Sequence, residues 1–395
     1  MERITINHAY EIKKFIQTQE QARRRACNVF IASRAALRVA PYAIQFFEFD
    51  PICRQRDLTS LVIWRPVMIA SCAASSGLDV SVSDIAYVAG FNASEAAYVA
   101  ASSVANAAFA AALAVADAAS NASFIADAFD INADAINASA ALAATSADIL
   151  WAEVSRDAEL WLDHADQGDG RLAITIAPLW SNENPLERDW HNLREKLLAA
   201  DTPDPRGADW SFWVKWYDDI LAGNPQNWDM LYEIATTDAI DWDASAREVN
   251  DRINQIVERY RLRDEVGALR RELEEARAAQ ANRAQRSHNM PPELVDEIPE
   301  IEERLTIVWA AAQEAENELE KTKPDPTILS KFAKIILDFG IWFTKYCGHI
   351  SNFALKAGIT ASWGSASVYY LKNDTHLIAE LGKQLLDFAS KLGVF

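Results

Sequence analysis

Five arginines near the start of the chain are its densest set of side chains able to do chemistry. Arg23, Arg24 and Arg25 stand in a row, and Arg34 and Arg38 follow one helical turn apart. Guanidinium groups so placed could grip the phosphates of a single-stranded oligonucleotide. The same groups could equally pair with carboxylates of the chain's acidic middle. Asp163, His164, Asp166 and Asp169 in LDHADQGDGR resemble a metal loop. Their spacing does not alternate as EF-hand ligands do, so the run reads as an acidic turn. Cys347 and His349 supply a thiol and a base, but two residues apart on a helix they point to different faces. GxxxxGK[ST], GxGxxG and HExxH are missing, and six histidines are scattered without zinc-ligand spacing. The expectation is no cofactor, no metal and no enzyme.

The elements that would carry these groups follow from composition. Alanine is the commonest residue, only 13 Gly and 13 Pro occur in 395 residues, and strand-like alternation is scarce. The chain is therefore expected to be all-α. Half its residues are hydrophobic, which excludes a chain disordered throughout. The formal net charge of −19 is unevenly placed: +5 over residues 1–65, −8 over 66–156, −13 over 157–245, −6 over 246–326 and +3 over 327–395. That total excludes a general nucleic-acid binder. Either the basic ends meet an anionic partner, or they dock on the acidic middle of the same chain or of a second copy. The four cysteines have no metal-ligand spacing, and the segment MERITINHAYEIKK lacks the apolar core of a secretory signal. A cytoplasmic or inner-membrane-associated protein is expected, not a secreted one.

Along the chain, residues 8–48 read as one or two helices, with Pro41 ending or kinking the helix. Residues 85–155 are rich in alanine. Within them, 96–116 are uncharged over the length of a membrane span, but Ala, Ser and Asn dominate and no Lys or Arg flanks them. A close-packed soluble helix is favoured there. Residues 157–245 hold eight of the thirteen tryptophans. In DWSFWVKWYDDILAGNPQNWD, Trp213, Trp216 and Tyr217 share one helical face, read as core, and Gly223, Asn224 and Pro225 stop the helix. Residues 244–286 form a long charged helix. Its seam runs through Val249, Ile253, Ile256 and Tyr260, then shifts by a residue to Leu262, Val266, Leu269, Leu273 and Ala276. Beyond SHNMPP, Ile301, Leu305, Val308, Ala312, Ala315 and Leu319 make a heptad seam. The pair is expected to form an antiparallel hairpin or an oligomerisation stalk.

The C-terminal region changes sign. Phe332, Ile335, Ile336, Phe339, Trp342, Phe343 and Tyr346 give a heavily apolar helix that also carries Lys331, Lys334 and Lys345. Such a helix could lie at a lipid surface, with lysines at the headgroups. Between Lys345 and Lys372 the one charge is Lys356, and Ala354, Gly358, Ser362 and Ala366 lie four apart, a stripe suited to close packing in lipid. Residues 346–371 are long enough to span a bilayer if helical, and Lys356 would then have to line a hydrated lumen. Phe339, Trp342, Phe343, Lys356, Gly358 and Ser362 are the candidate membrane or pore residues. A last amphipathic helix carries Leu377, Leu381, Leu385 and Phe388.

The alanine-rich block 85–155, WSFWVKWYDDILAGNP and SHNMPPE resemble a group of uncharacterised bacterial proteins, a likeness that implies no activity. The layout, a soluble helical region before a membrane-active helical one, resembles the membrane effectors of bacterial phage-defence operons, including the channel subunit of the Hailong system. That resemblance implies a homo-oligomeric channel held inactive by an oligonucleotide from a partner nucleotidyltransferase. The chain departs from it in lacking a clean charge-free span near the C-terminus, and no residue role carries over.

Four segments are expected. They are an N-terminal helical domain at 1–155, a Trp-rich acidic segment at 156–245, a helical hairpin at 246–323 and a basic apolar module at 327–395. The leading functional expectation is a non-enzymatic homo-oligomeric effector acting on a bilayer. The alternative is a soluble all-helical scaffold or interaction protein. The 327–395 module separates them, since membrane action needs its apolar surface exposed in some state and a scaffold buries it.

Overall fold

A computed structural model describes residues 5–6, 9–51, 53, 59–76, 147–165, 177–182, 184–199, 208–284, 298–356 and 375–393. These residues are 82% helical and contain no strand, so the fold is all-α. The chain divides into two compact units, Met1–Asn254 and Gln255–Phe395. Most of the alanine-rich block, including 96–116, and the segments 202–207 and 287–292 lie outside the described residues.

The first unit is built on one long helix. Helix α1 (Ala9–Thr18) leads into α2 (Gln21–Phe49), which packs against α1, α3 (Leu61–Ser76), α4 (Ala147–Ala165) and α5 (Glu187–Leu198). Residues 29–41 are buried without a break. A helix buried on every face is a central core helix, not an amphipathic surface one. Pro41 lies inside α2 and does not end it, which corrects part of the sequence expectation. Proline has no N–H, so its place in a helix leaves the carbonyl four residues back without a partner. Here that carbonyl is Leu37, and the Tyr217 hydroxyl donates to it at 2.9 Å.

Tyr217 comes from α6 (Ser211–Ala222), which brings the expected face inward: Trp213, Trp216 and Tyr217 are all buried. Trp213 stacks on Trp64 of α3 at 5.6 Å, and Trp190, Trp216 and Tyr217 meet the Trp64 ring edge-on. Edge-to-face and offset rings favour one another electrostatically as well as by burial. The α6 helix stops where its sequence says it should. Gly223 takes φ +71°, and a Cβ there would sit 2.7 Å from the Pro178 nitrogen, so only glycine fits. Asn227 then caps α7 (Trp228–Thr236) through the Met230 N–H at 3.1 Å. A capping box opens α8 (Ala246–Ala284), where Ser245 and Glu248 exchange side-chain hydrogen bonds with each other's N–H groups. The boundary between the units falls inside α8.

The second unit contains the rest of α8, α9 (Ile298–Leu319), α10 (Pro326–Lys356) and α11 (Thr375–Leu392). Its pairings run antiparallel. Arg270 of α8 bonds Glu316 of α9 at 2.6 Å, and Arg304 of α9 lies over the Trp342 ring of α10 at 4.5 Å. Glycines set the α10–α11 contact: a Cβ on Gly340 would meet the Ala379 backbone, and one on Gly382 the Leu337 backbone. Lys391 of α11 reaches Glu258 of α8 at 3.4 Å, closing the circuit. The result is an up-down-up-down four-helix bundle. The seam from Ile301 to Leu319 is internal, filled by Leu262, Leu269 and Leu273 of α8 together with α10 and α11 side chains. The expected hairpin is therefore half of a larger core. At the α9–α10 turn, Arg259 donates to the Leu319 carbonyl at 3.2 Å, and the buried Glu318 carboxylate accepts from the Asp325 N–H at 2.6 Å.

Candidate functional site

The arginine group divides in the structure. Arg34 and Arg38 sit one turn apart on α2 and point into the core of the first unit, where they are 1% and 0% exposed. Across from them α4 presents Glu153 and Asp157, likewise one turn apart, and residues 177–181 run past as irregular backbone. Arg34 Nε donates to Asp157 Oδ1 at 2.7 Å, while its terminal nitrogens donate to the carbonyls of Ala177 (3.3 Å) and Pro178 (2.8 Å). Arg38 forks onto Asp157 at 2.5 and 3.0 Å and onto the Leu179 carbonyl at 2.8 and 3.1 Å. Glu153 accepts from the Ser181 N–H at 3.0 Å and from its hydroxyl, and it pairs with Arg156 at 3.3 Å. Arg38 also lies over the Trp180 ring at 5.6 Å.

The electrostatics follow from that geometry. Burial alone would hold the Asp157 carboxyl protonated, but the charges and N–H bonds of Arg34 and Arg38 together outweigh it and hold the group below its ordinary value. Burial lowers the Arg34 guanidinium, and Asp157 opposes that pull. Every guanidinium nitrogen of Arg34 and Arg38 has an acceptor within the unit, and burial keeps both side chains from an oligonucleotide in this arrangement. Their chemistry here is to pin α2, α4 and the 177–181 segment together.

Arg23 and Arg24 behave differently. Both are half-buried at the start of α2, Arg23 within 3.9 Å of Glu20 and Arg24 donating to the Gln19 carbonyl at 2.9 Å. The Arg25 side chain lies outside the described residues. The structure thus does not gather the five arginines into one surface.

The candidate membrane residues divide too. Phe339 and Phe343 are buried in the bundle core, stacked 5.5 Å apart. Trp342 is half-buried beneath Arg304. The Lys356 side chain, Gly358, Ser362 and the small-residue stripe lie outside the described residues. Among the described residues no helix is long and apolar enough to cross a membrane, and no three His, Cys, Asp or Glu side chains gather as a metal site. His164 Nδ1 faces the Leu160 carbonyl at 2.9 Å, while Asp166 and Asp169 are outside the described residues, as is the Cys347 side chain.

Two open clefts lie among the described residues. One, of about 350 Å³, is lined by Gln45, Asp189, Asn192, Glu195, Lys196 and Ala199 in the first unit. The other, of about 540 Å³ in the second unit, is lined by Pro326, Thr327, Ser330, Lys331 and Lys334. No known protein family, curated protein or solved structure matches the chain.

Sequence reasoning missed Glu153, Asp157 and the 177–179 carbonyls as partners. A signal was present: two arginines at i and i+4 inside the apolar run 29–47 demand a buried acid pair of matching spacing, which Glu153 and Asp157 supply.

Proposed function

We propose that the protein works by association, as an all-helical scaffold or interaction protein whose chemistry is recognition. The observation supporting this reading is where α10 puts its apolar face. Leu329, Ala333, Ile336, Phe339 and Phe343 are packed into a core shared with α8, α9 and α11. Burial of one such phenylalanine stabilises the bundle by about 1.5–3 kcal/mol, so exposing the whole face to lipid requires a driving force of many kcal/mol. Amide exchange of the full chain, with and without anionic vesicles, tests the reading. Protection of the amides from Leu329 to Phe343 in both conditions is expected. Loss of that protection on vesicles, with leakage of their contents, would overturn it.

A membrane-acting homo-oligomeric channel effector in phage defence is the second reading, and one observation favours it. The reciprocal contacts of Gly340 with Ala379 and of Gly382 with Leu337 let α10 and α11 meet backbone to backbone, a packing that needs no water to drive it. Regulation by an oligonucleotide would then fall to Arg23 and Arg24, at the start of α2. Vesicle leakage that depends on the full chain is the result this reading requires.

A further inference from the structure

With its aromatic residues inward, α10 turns a different face outward. Thr327, Lys331, Lys334, Ile341 and Lys345 are exposed along it, with Asp338 among them. None of the three lysines has a carboxylate partner among the described residues, although the chain carries 57 acids against 38 Lys and Arg. The 540 Å³ cleft lies along the first part of this face and is lined by two of the lysines. The first unit contains the complement. Residues 228–243 hold five acids and no Lys or Arg, and Asp229, Asp238 and Asp241 are exposed without a cationic partner among the described residues.

We propose that the lysine face of α10 in one copy docks on the acidic 228–241 surface of a second copy. The occupant is a second copy because the chain itself carries both complementary surfaces, while the net charge of −19 opposes long-range approach to an anionic bilayer and to another copy alike. The chain's own acidic segment is present at matched concentration and offers local charge complementarity at short range. Because the two surfaces differ, the contact is heterologous, and a pair of copies keeps one lysine face and one acidic face free. Assembly then grows with concentration unless a ring closes. This builds on the association reading. If the contact fails while the α10 amides stay protected, the surface is wrong and the reading of a scaffold stands.

Sedimentation of the full chain tests it. At about 50 mM salt the mass should rise above 43.9 kDa with concentration, and it should return to 43.9 kDa near ~1 M salt, where screening acts within about 3 Å. The triple variant Lys331→Glu, Lys334→Glu, Lys345→Glu and the triple variant Asp229→Lys, Asp238→Lys, Asp241→Lys should each assemble at least ~10-fold more weakly. Mixed together they should assemble again, since each then meets a complementary face. A 43.9 kDa species at every concentration in low salt would overturn the proposal. So would variants that assemble like the parent, a mixture that stays dissociated, or a lysine variant that loses only its capture by anionic vesicles.

Discussion

The Tyr217 hydroxyl donates to the Leu37 carbonyl at 2.9 Å, across 180 residues of sequence. That carbonyl is the one Pro41 leaves without a helical donor, so a residue on α6 completes a hydrogen bond inside α2.

Tyr217→Phe should therefore cost more than a lost hydroxyl at a wet site. Leaving a buried acceptor unpaired costs about 1–3 kcal/mol, read as a lower urea midpoint. In the Tyr217→Phe background, Pro41→Ala should recover part of that loss, because an alanine N–H can bond Leu37 again. No coupling between the two changes in a double-mutant cycle would refute the account.

Asp157→Asn leaves Arg34 and Arg38 buried without their anion, and a loss of about 3–5 kcal/mol is expected. The parent also carries a pH signature. The Asp157 pKa is depressed in the folded state, so its stabilisation is complete above the unfolded value of about 4 and is lost as pH falls toward the folded value. Denaturation midpoints should decline through that acid window, by up to about 1.4 kcal/mol per pH unit for this one proton. The Asn variant, where it stays folded, should lack this component.

Two thiols should be silent in the native state. Cys27 and Cys72 are buried, and desolvation raises both, Cys72 to about 12. The thiolate is the reactive species, so an alkylating reagent at neutral pH should modify neither until denaturant is added. Peptide mapping of the labelled chain reads this directly, and rapid native labelling of either cysteine would contradict the packing.

Glycines of the second unit should respond in opposite directions. Gly340→Ala and Gly382→Ala place a Cβ 2.5 and 2.6 Å from facing backbone nitrogens, which cannot move aside without shifting a helix. Each should destabilise the bundle by about 1–3 kcal/mol. At Gly267 the first atom met is the Glu316 carboxylate, on a flexible side chain, and alanine gains about 1 kcal/mol of helix propensity. Gly267→Ala should be neutral or stabilising in thermal melts.

Local periodicity carried much of the fold. The six seam positions from Ile301 to Leu319 are all buried, as are Trp213, Trp216 and Tyr217, and Gly223 closes α6 as its sequence implies. These features depend on neighbours within one or two turns. The rest is non-local. Nothing near Arg34 names Asp157, nothing near Pro41 names Tyr217, and nothing near Ile301 says whether its seam meets one helix or three. The sign of the N-terminal charge was legible, but its division between core and surface was not, because that depends on which acids the tertiary fold delivers.

The distance along the chain from Arg38 to Asp157 has a consequence during synthesis. At about 5–20 residues per second, the 119 residues between them take roughly 6–24 s to make. For that interval α2 carries two arginines whose buried acid partners on α4, Glu153 and Asp157, are not both in the chain. A nascent chain cannot seal the centre of the first unit until α4 has emerged from the ribosome. Helix α2 must wait in water, or in the hands of a chaperone, for a partner translated much later.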